Sequence, residues 1–192
     1  IIEKWGFDAA LRRKTDRLPD QKLVVIDNPF GSWMEISKVV LGPAITPDVT
    51  LIHAQMADAQ GTTRIEGLTF ADVEQAKAAK HVIVTCERVV QPEVLRENPD
   101  QNQIPFFNVD AVVPVKYGAY PTACYRYYDY DPVYLNAYRK AASDDRLHGQ
   151  YLDDHIYSLN THSDLLDRAG KDRLAAIKAD KRTGYAINLD RK

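Results

Sequence analysis

Three short apolar runs, Val49–Ala54, His81–Cys86 and Val109–Val115, are separated by stretches whose apolar residues recur at helical spacing. A chain that alternates strands with helices brings each strand back in the same direction, so this order predicts an α/β fold with a largely parallel sheet. Between the first two runs, Ala57–Gly61 reads as a turn into a second strand, Thr62-Thr63-Arg64-Ile65. A helix over 70–80 follows, with Phe70, Val73, Ala76 and Ala79 on one side. Pro92–Glu97 reads as a short helix with proline at its first position. Val49–Ala54 is apolar at both sets of alternate positions, which predicts a strand buried on both faces.

Upstream, residues 1–18 are expected to be helical up to Pro19. Strands are expected at Leu23–Ile26, stopped by Asp27-Asn28-Pro29, and at Glu35–Leu41, closed by Gly42-Pro43. After Pro132 the pattern is helical, over Val133–Ala142, Leu147–Leu159 and Ser163–Lys181. The expected fold is one α/β domain over residues 1–192: a layered open sheet with helices on both faces and a helical C-terminal tail.

Composition narrows the function. Twenty-five basic and 27 acidic residues leave a net charge of −2, which gives no sign of a nucleic-acid surface. No apolar run reaches the roughly 18 residues of a membrane span. Two cysteines, Cys86 and Cys124, are too few for a disulfide framework and fit a reducing compartment, so the expected location is the cytoplasm. The chain opens Ile1-Ile2-Glu3-Lys4-Trp5, with neither an initiator Met nor a secretion signal, as expected of a chain that was processed or cut or of part of a longer polypeptide.

Gly-rich dinucleotide loops, phosphate-loop lysines and paired zinc histidines are absent from the sequence. His148, His155 and His162, seven residues apart, read as a solvated helix surface. Cys86 reads as a buried apolar thiol, because the following Glu87 raises rather than lowers a thiol pKa, and Cys124 as structural. No metal ligand is expected on this chain, and neither cysteine reads as a nucleophile. His53 and Gln55 alternate on one face of a predicted strand, which means either an internally satisfied polar network or a ligand cleft. Asp58 and Gln60-Gly61 fall at that strand's C-terminal end, and Glu66-Gly67 reads as a surface carboxylate before a turn. Eight of the eleven tyrosines lie between Tyr117 and Tyr138, a density suited to an interface or a pocket wall.

Several separated runs resemble, in the right order, the A (α) subunits of family I coenzyme A transferases, nearest the glutaconate type. They are Leu51–Gln55 with Asp58, Gly61-Thr62 and Arg64-Ile65; Ala76 and Ala78–His81 with Ile83–Glu87; Asn102 and Ile104-Pro105; and Val109–Val113 with Tyr117–Pro121, Cys124-Tyr125 and Tyr128–Asp131. Trp5-Gly6 and Ile26–Phe30 fit the same pattern. The likeness spans about residues 1–142 and implies that this chain is the C-terminal part of such a subunit, with 143–192 as a helical tail. It implies a B (β) subunit partner in a higher hetero-oligomer, with acyl-CoA and carboxylic acid substrates. It implies no tightly bound cofactor beyond the CoA thioester as substrate. The nucleophilic glutamate belongs to the B subunit in this family, leaving His53, Gln55, Gly118, Ala119 and Tyr120 as the substrate-binding positions here. Glu66 stands where the family pattern has tryptophan, and Tyr120 where it has histidine. These departures admit a ring-opening acyl-CoA hydrolase on the same scaffold, and the tyrosine belt admits a non-catalytic interaction module.

Overall fold

The computed structural model describes residues 24–31 and 37–191. The chain divides into two compact units, residues 1–46 and 47–192. The helix expected over 1–18 lies outside the described residues. In the first unit, β1 (Val24–Asp27) pairs antiparallel with β2 (Lys38–Leu41), Val24 opposite Leu41 and Asp27 opposite Lys38. The Asn28 side-chain oxygen accepts from the Phe30 amide at 3.0 Å, the local bond that makes Asn-Pro a turn.

The second unit holds a five-stranded sheet in the order β6-β4-β3-β5-β7. Here β3 is Val49–Asp58, β4 Thr63–Arg64, β5 His81–Val90, β6 Asn102–Ile104 and β7 Ala111–Pro114. β3, β5 and β7 are parallel, while β4 runs antiparallel to β3 and to β6. The helix α1 (Asp72–Ala78) makes the crossover from β3 to β5, and the short α2 (Pro92–Arg96) follows β5. The mixed α/β fold with a mostly parallel centre is the one expected.

One face of the sheet forms a core of Ile52, Ala54, Val82, Val84 and Cys86, each at most 2% exposed, against Ala76 of α1. Small side chains at 54 and 76 let helix and sheet approach closely. Each fully buried Ile or Val contributes roughly 1.5–3 kcal/mol. The opposite face departs from expectation: Val49 and Leu51 are 50% and 70% exposed, so β3 is buried on one face only over its first half. β3 and β5 also run further than their apolar stretches, because pairing continues to Asp58 opposite Val90. Gln55, Asp58 and Glu87 are tolerated there because each finds a hydrogen-bond partner, and Arg88 because it is exposed. The β4–β6 edge is tied down by Arg64, a buried guanidinium that donates to the Leu95 and Asn98 carbonyls, both at 2.9 Å, and to Asn102 Oδ1 at 3.1 Å. The Leu95 carbonyl lies in the last turn of α2, where a cation is favoured.

The tyrosine-rich segment and the tail build a second core, of Tyr120, Cys124, Tyr128, Tyr134, Tyr151, Ala169 and Ile177. Its helices are α3 (Pro132–Ala141), α4 (Asp145–Leu152), α5 (His162–Ala169) and α6 (Lys171–Ala176). The helix expected over Leu147–Leu159 ends early in a π turn, Asp153–Tyr157. The one expected over Ser163–Lys181 breaks at Gly170, whose φ of +83° an L side chain resists. Residues 177–179 then lie beside 127–129, the Asp129 amide donating to Ile177 O at 2.7 Å and the Ala179 amide to Tyr127 O at 3.1 Å. His148 and His155 are half-buried rather than solvated: His155 stacks on Tyr151 at 4.2 Å, and His148 packs edge-on against Tyr138. Aromatic neighbours on the next turn or helix decide this, and histidine spacing alone does not show them.

Candidate functional site

Parallel sheets place ligands at the carboxyl ends of their strands. The residues beyond Ile52 on β3 and beyond Val84 on β5 occupy that end. His53 sits opposite Thr85 in the β3–β5 register, so the two side chains share the face away from the sheet core. His53 Nδ1 is 2.9 Å from Thr85 Oγ1, and His53 Nε2 is 2.9 Å from Glu87 Oε1. The Tyr128 hydroxyl lies 3.4 Å from the same Nε2 and accepts the Ala119 amide at 2.9 Å. The Thr85 hydroxyl is 3.4 Å from the Ile52 carbonyl, its own acceptor, so its lone pairs face Nδ1 and favour an N–H there. His53 Nε2 and Glu87 meet in a pair whose side chains are 11% and 5% exposed. The result is an almost buried chain Thr85–His53–Glu87–Tyr128 that can hold or pass a proton and present a polar wall.

Gly118 explains how the 117–121 turn reaches this chain. A Cβ at 118 would sit 2.6 Å from both His53 Cε1 and Nδ1, so only glycine lets the backbone pack against the ring. Ala119 lines the same cavity as His53, a space of about 620 Å³ that also meets Gln55, Glu66, Cys124 and Tyr125. Gln55 is 3% exposed and fully engaged. Its amide nitrogen donates to Glu66 O at 3.1 Å and Tyr125 O at 3.2 Å, while its oxygen accepts the Glu66 amide at 2.9 Å. It clamps the cavity wall. Tyr120 turns elsewhere: its hydroxyl donates to Asp131 Oδ2 at 2.6 Å, and it lines a separate cavity of about 530 Å³ among the tail helices. Burial, then the Asp131 carboxylate, pushes its phenol pKa up. Of the five residues singled out from sequence, His53, Gln55, Gly118 and Ala119 thus come together and Tyr120 does not join them.

Asp58 is buried and accepts the amides of Gln60, Gly61 and Thr62 at 2.9–3.0 Å, a turn-forming role. Glu66 pairs with Arg126 at 3.1 Å. Thr85, Glu87 and Tyr128 are site residues that the sequence pattern alone did not single out. Thr85 and Glu87 alternate as His53 and Gln55 do, and that shared period was the available signal.

Both cysteines are buried. Burial first, then the Glu87 and Glu66 charges, pushes the Cys124 thiol up to about 12. Burial raises the Cys86 thiol too. Because the folded-state value of Cys124 exceeds the ordinary 9.0, the neutral thiol's contribution to stability is intact below pH 9 and is lost as pH rises from 9 toward 12. The melting temperature is therefore expected to fall above pH 9 and to fall less in Cys124→Ala, with iodoacetamide labelling slow at pH 8. Rapid labelling of Cys124 in the folded protein at that pH contradicts this. The sequence pattern names no metal ligand. Among the described residues, His53, Glu87 and Cys124 bring their ligand atoms within 4.8 Å of one another and are the group that could hold an ion. No helix of the described residues is long and apolar enough to cross a membrane.

Residues 33–114 match the family model described as coenzyme A transferase. The chain is 39% identical over 189 residues to the A chain of the glutaconate CoA-transferase of Acidaminococcus fermentans, covering 98% of this chain and 58% of that protein. It is 33% identical over 114 residues to the A chain of the 3-oxoadipate CoA-transferase of Pseudomonas knackmussii, covering 59% of this chain and 40% of that one. The crystal structure of the Acidaminococcus fermentans glutaconate coenzyme A-transferase superposes with a TM-score of 0.79 at 40% identity, over 97% of this chain and 58% of that one. The chain therefore spans less than two thirds of the length of the curated relatives it matches.

Proposed function

Because the chain belongs to the coenzyme A transferase family, we propose that it is part of the α subunit of a two-subunit enzyme that moves CoA between an acyl-CoA and a free carboxylic acid. The observation that carries this is the match, over 98% of the chain, to the corresponding subunit of a glutaconate CoA-transferase. The acid in this reading is a dicarboxylate, the class to which the glutaconate and 3-oxoadipate named in the two relatives belong.

In the proposed reaction the β subunit's glutamate attacks the thioester carbonyl, forming a mixed anhydride and releasing the CoA thiolate. The thiolate attacks the glutamyl carbonyl, giving a glutamyl-CoA thioester and the first free acid. The acceptor carboxylate attacks that thioester, forming a second mixed anhydride and expelling the thiolate, which then attacks the acceptor's acyl carbon to give the new acyl-CoA and free the glutamate. One thioester replaces another, so the enzyme's task is to position the partners and stabilise developing oxyanions. This chain supplies a wall of that cleft. His53 and Ala119 face substrate, Gln55 fixes the wall, Gly118 admits the turn, and Tyr120 anchors the turn through Asp131. The two units of the chain belong, in this reading, to one α/β domain of the cytoplasmic subunit.

The chain alone is expected to show no acyl exchange. Supplied with a β subunit plus the rest of its own α subunit, it is expected to exchange CoA between acetyl-CoA and a dicarboxylate, followed by product mass. Full transferase activity from the isolated chain, or hydrolysis without exchange in the complete assembly, overturns the reading.

A further inference from the structure

His53, Glu87 and Cys124 reach one point from three parts of the chain. His53 and Glu87 come from the neighbouring parallel strands β3 and β5, and they share a face because Glu87 lies two residues beyond Thr85, the partner of His53. Cys124 comes from the tyrosine-rich segment and is fixed there by its backbone. Its amide donates to Tyr128 O and its carbonyl accepts the Tyr128 amide, both at 2.9 Å. A nitrogen, a carboxylate oxygen and a sulfur then lie within 4.8 Å of one another, in side chains that are buried or nearly so.

The surroundings suit a metal ion. Thr85 Oγ1 holds His53 Nδ1 at 2.9 Å, which leaves Nε2 to offer its lone pair, and ligand histidines are commonly oriented by such a partner on the other nitrogen. Nε2 faces Glu87 Oε1 at 2.9 Å. Two lone-pair atoms so close meet favourably only around a positive charge. A proton serves two of them; an ion serves the sulfur as well. Ligand atoms of a tetrahedral zinc ion stand about 3.3–3.6 Å apart, so His53 and Glu87 must open and Cys124 must close in, each by about 1 Å. Glu87 and a Cys124 thiolate together neutralise a divalent ion, as a buried site requires. The cavity of about 620 Å³, lined by His53, Cys124 and Tyr128, gives an entry path and room for a water as fourth ligand. Magnesium and calcium take oxygen ligands and are disfavoured by nitrogen and sulfur.

We propose that His53, Glu87 and Cys124 form a zinc-class metal site with an open fourth position. Bonds form from the ion to nitrogen, oxygen and sulfur, the Cys124 thiol proton passes to solvent, and no electron is transferred. The site goes beyond the transferase reading and does not depend on it: it stands or falls on metal binding by the chain. Its three ligands have no local relation in the sequence and meet only on folding.

The test loads the metal-free chain with zinc, cobalt(II) or magnesium and follows binding by equilibrium dialysis and absorption. Zinc is expected to bind one to one with a Kd of about 1 μM or tighter, and magnesium not to bind. Cobalt is expected to show the charge-transfer band of a bound thiolate, which zinc then erases. Cys124→Ser is expected to lose that band and to bind zinc roughly 100-fold more weakly, and Thr85→Val, which keeps all three ligands, roughly 10-fold more weakly. His155→Ala/His162→Ala is expected to bind as the original chain does. Melting curves show that each variant folds, and zinc is expected to raise the melting temperature of the original chain more than that of Cys124→Ser. No binding at about 100 μM zinc, a cobalt complex without the thiolate band, a band that survives Cys124→Ser, or binding lost in His155→Ala/His162→Ala overturns the site. The cobalt spectrum is read on the original chain, so the proposal stays refutable even where a variant fails to fold.

Discussion

Gly118→Ala is expected to lower turnover of the assembled enzyme about 100-fold and to destabilise the fold by about 1–3 kcal/mol. The new methyl would lie 2.6 Å from two atoms of the His53 ring and 3.1 Å from Val115 O. A flexible neighbour would swing aside, but this ring is held by Thr85 and Glu87 at 2.9 Å each. Either the ring leaves those partners or the 117–121 turn lifts away, taking the Ala119 amide from the Tyr128 hydroxyl. Both displace the proposed substrate wall by an amount that oriented catalysis does not tolerate. The measurements are kcat/KM in the acyl exchange assay and the melting temperature. A variant with unchanged kinetics shows that the His53 wall has no part in the reaction. His53→Ala made alongside it relieves the clash, so the double variant is expected to recover stability while activity stays low.

Asp131→Ala is expected to cost about 3 kcal/mol, lowering the melting temperature by roughly 10 °C for a chain of this size. Asp131 is 1% exposed and serves three partners at once. Its Oδ2 accepts the Tyr120 hydroxyl at 2.6 Å and lies 3.6 Å from Arg173 Nε, and its Oδ1 accepts the Tyr134 amide that begins α3. Removal deletes an N-cap, typically about 1 kcal/mol, and leaves a buried tyrosine hydroxyl without its acceptor, about 1–3 kcal/mol more. Tyr120→Phe in the Asp131→Ala background removes the stranded hydroxyl and is expected to restore part of the loss, a coupling that a double-mutant cycle measures. A shift below about 2 °C for Asp131→Ala refutes the role of this pair as the anchor of the turn.

The strands that matter were readable because they are apolar where the sheet core needs them, as at Ile52, Val82 and Val84. Their true ends were not, since β3 and β5 continue through Gln55, Asp58, Glu87 and Arg88. Gln55 and Glu87 remain buried in strands because partners from elsewhere satisfy them, and such partners are invisible in a local pattern. The same blindness hid β6, which exists because Arg64 and Asn102 are joined across the edge. It also hid the aromatic burial of His155.

The candidate site divides in the same way. The alternation of His53 with Gln55, the Gly118-Ala119-Tyr120 run and the family likeness are properties of the string of residues, and they located the wall. Folding decided which of these residues meet. A parallel register set Thr85 and Glu87 beside His53, a missing Cβ admitted the turn, and a buried carboxylate drew Tyr120 away. Local propensity acts over a few residues, whereas charge and hydrogen bonding act through space, and it is the second that gives this chain its site.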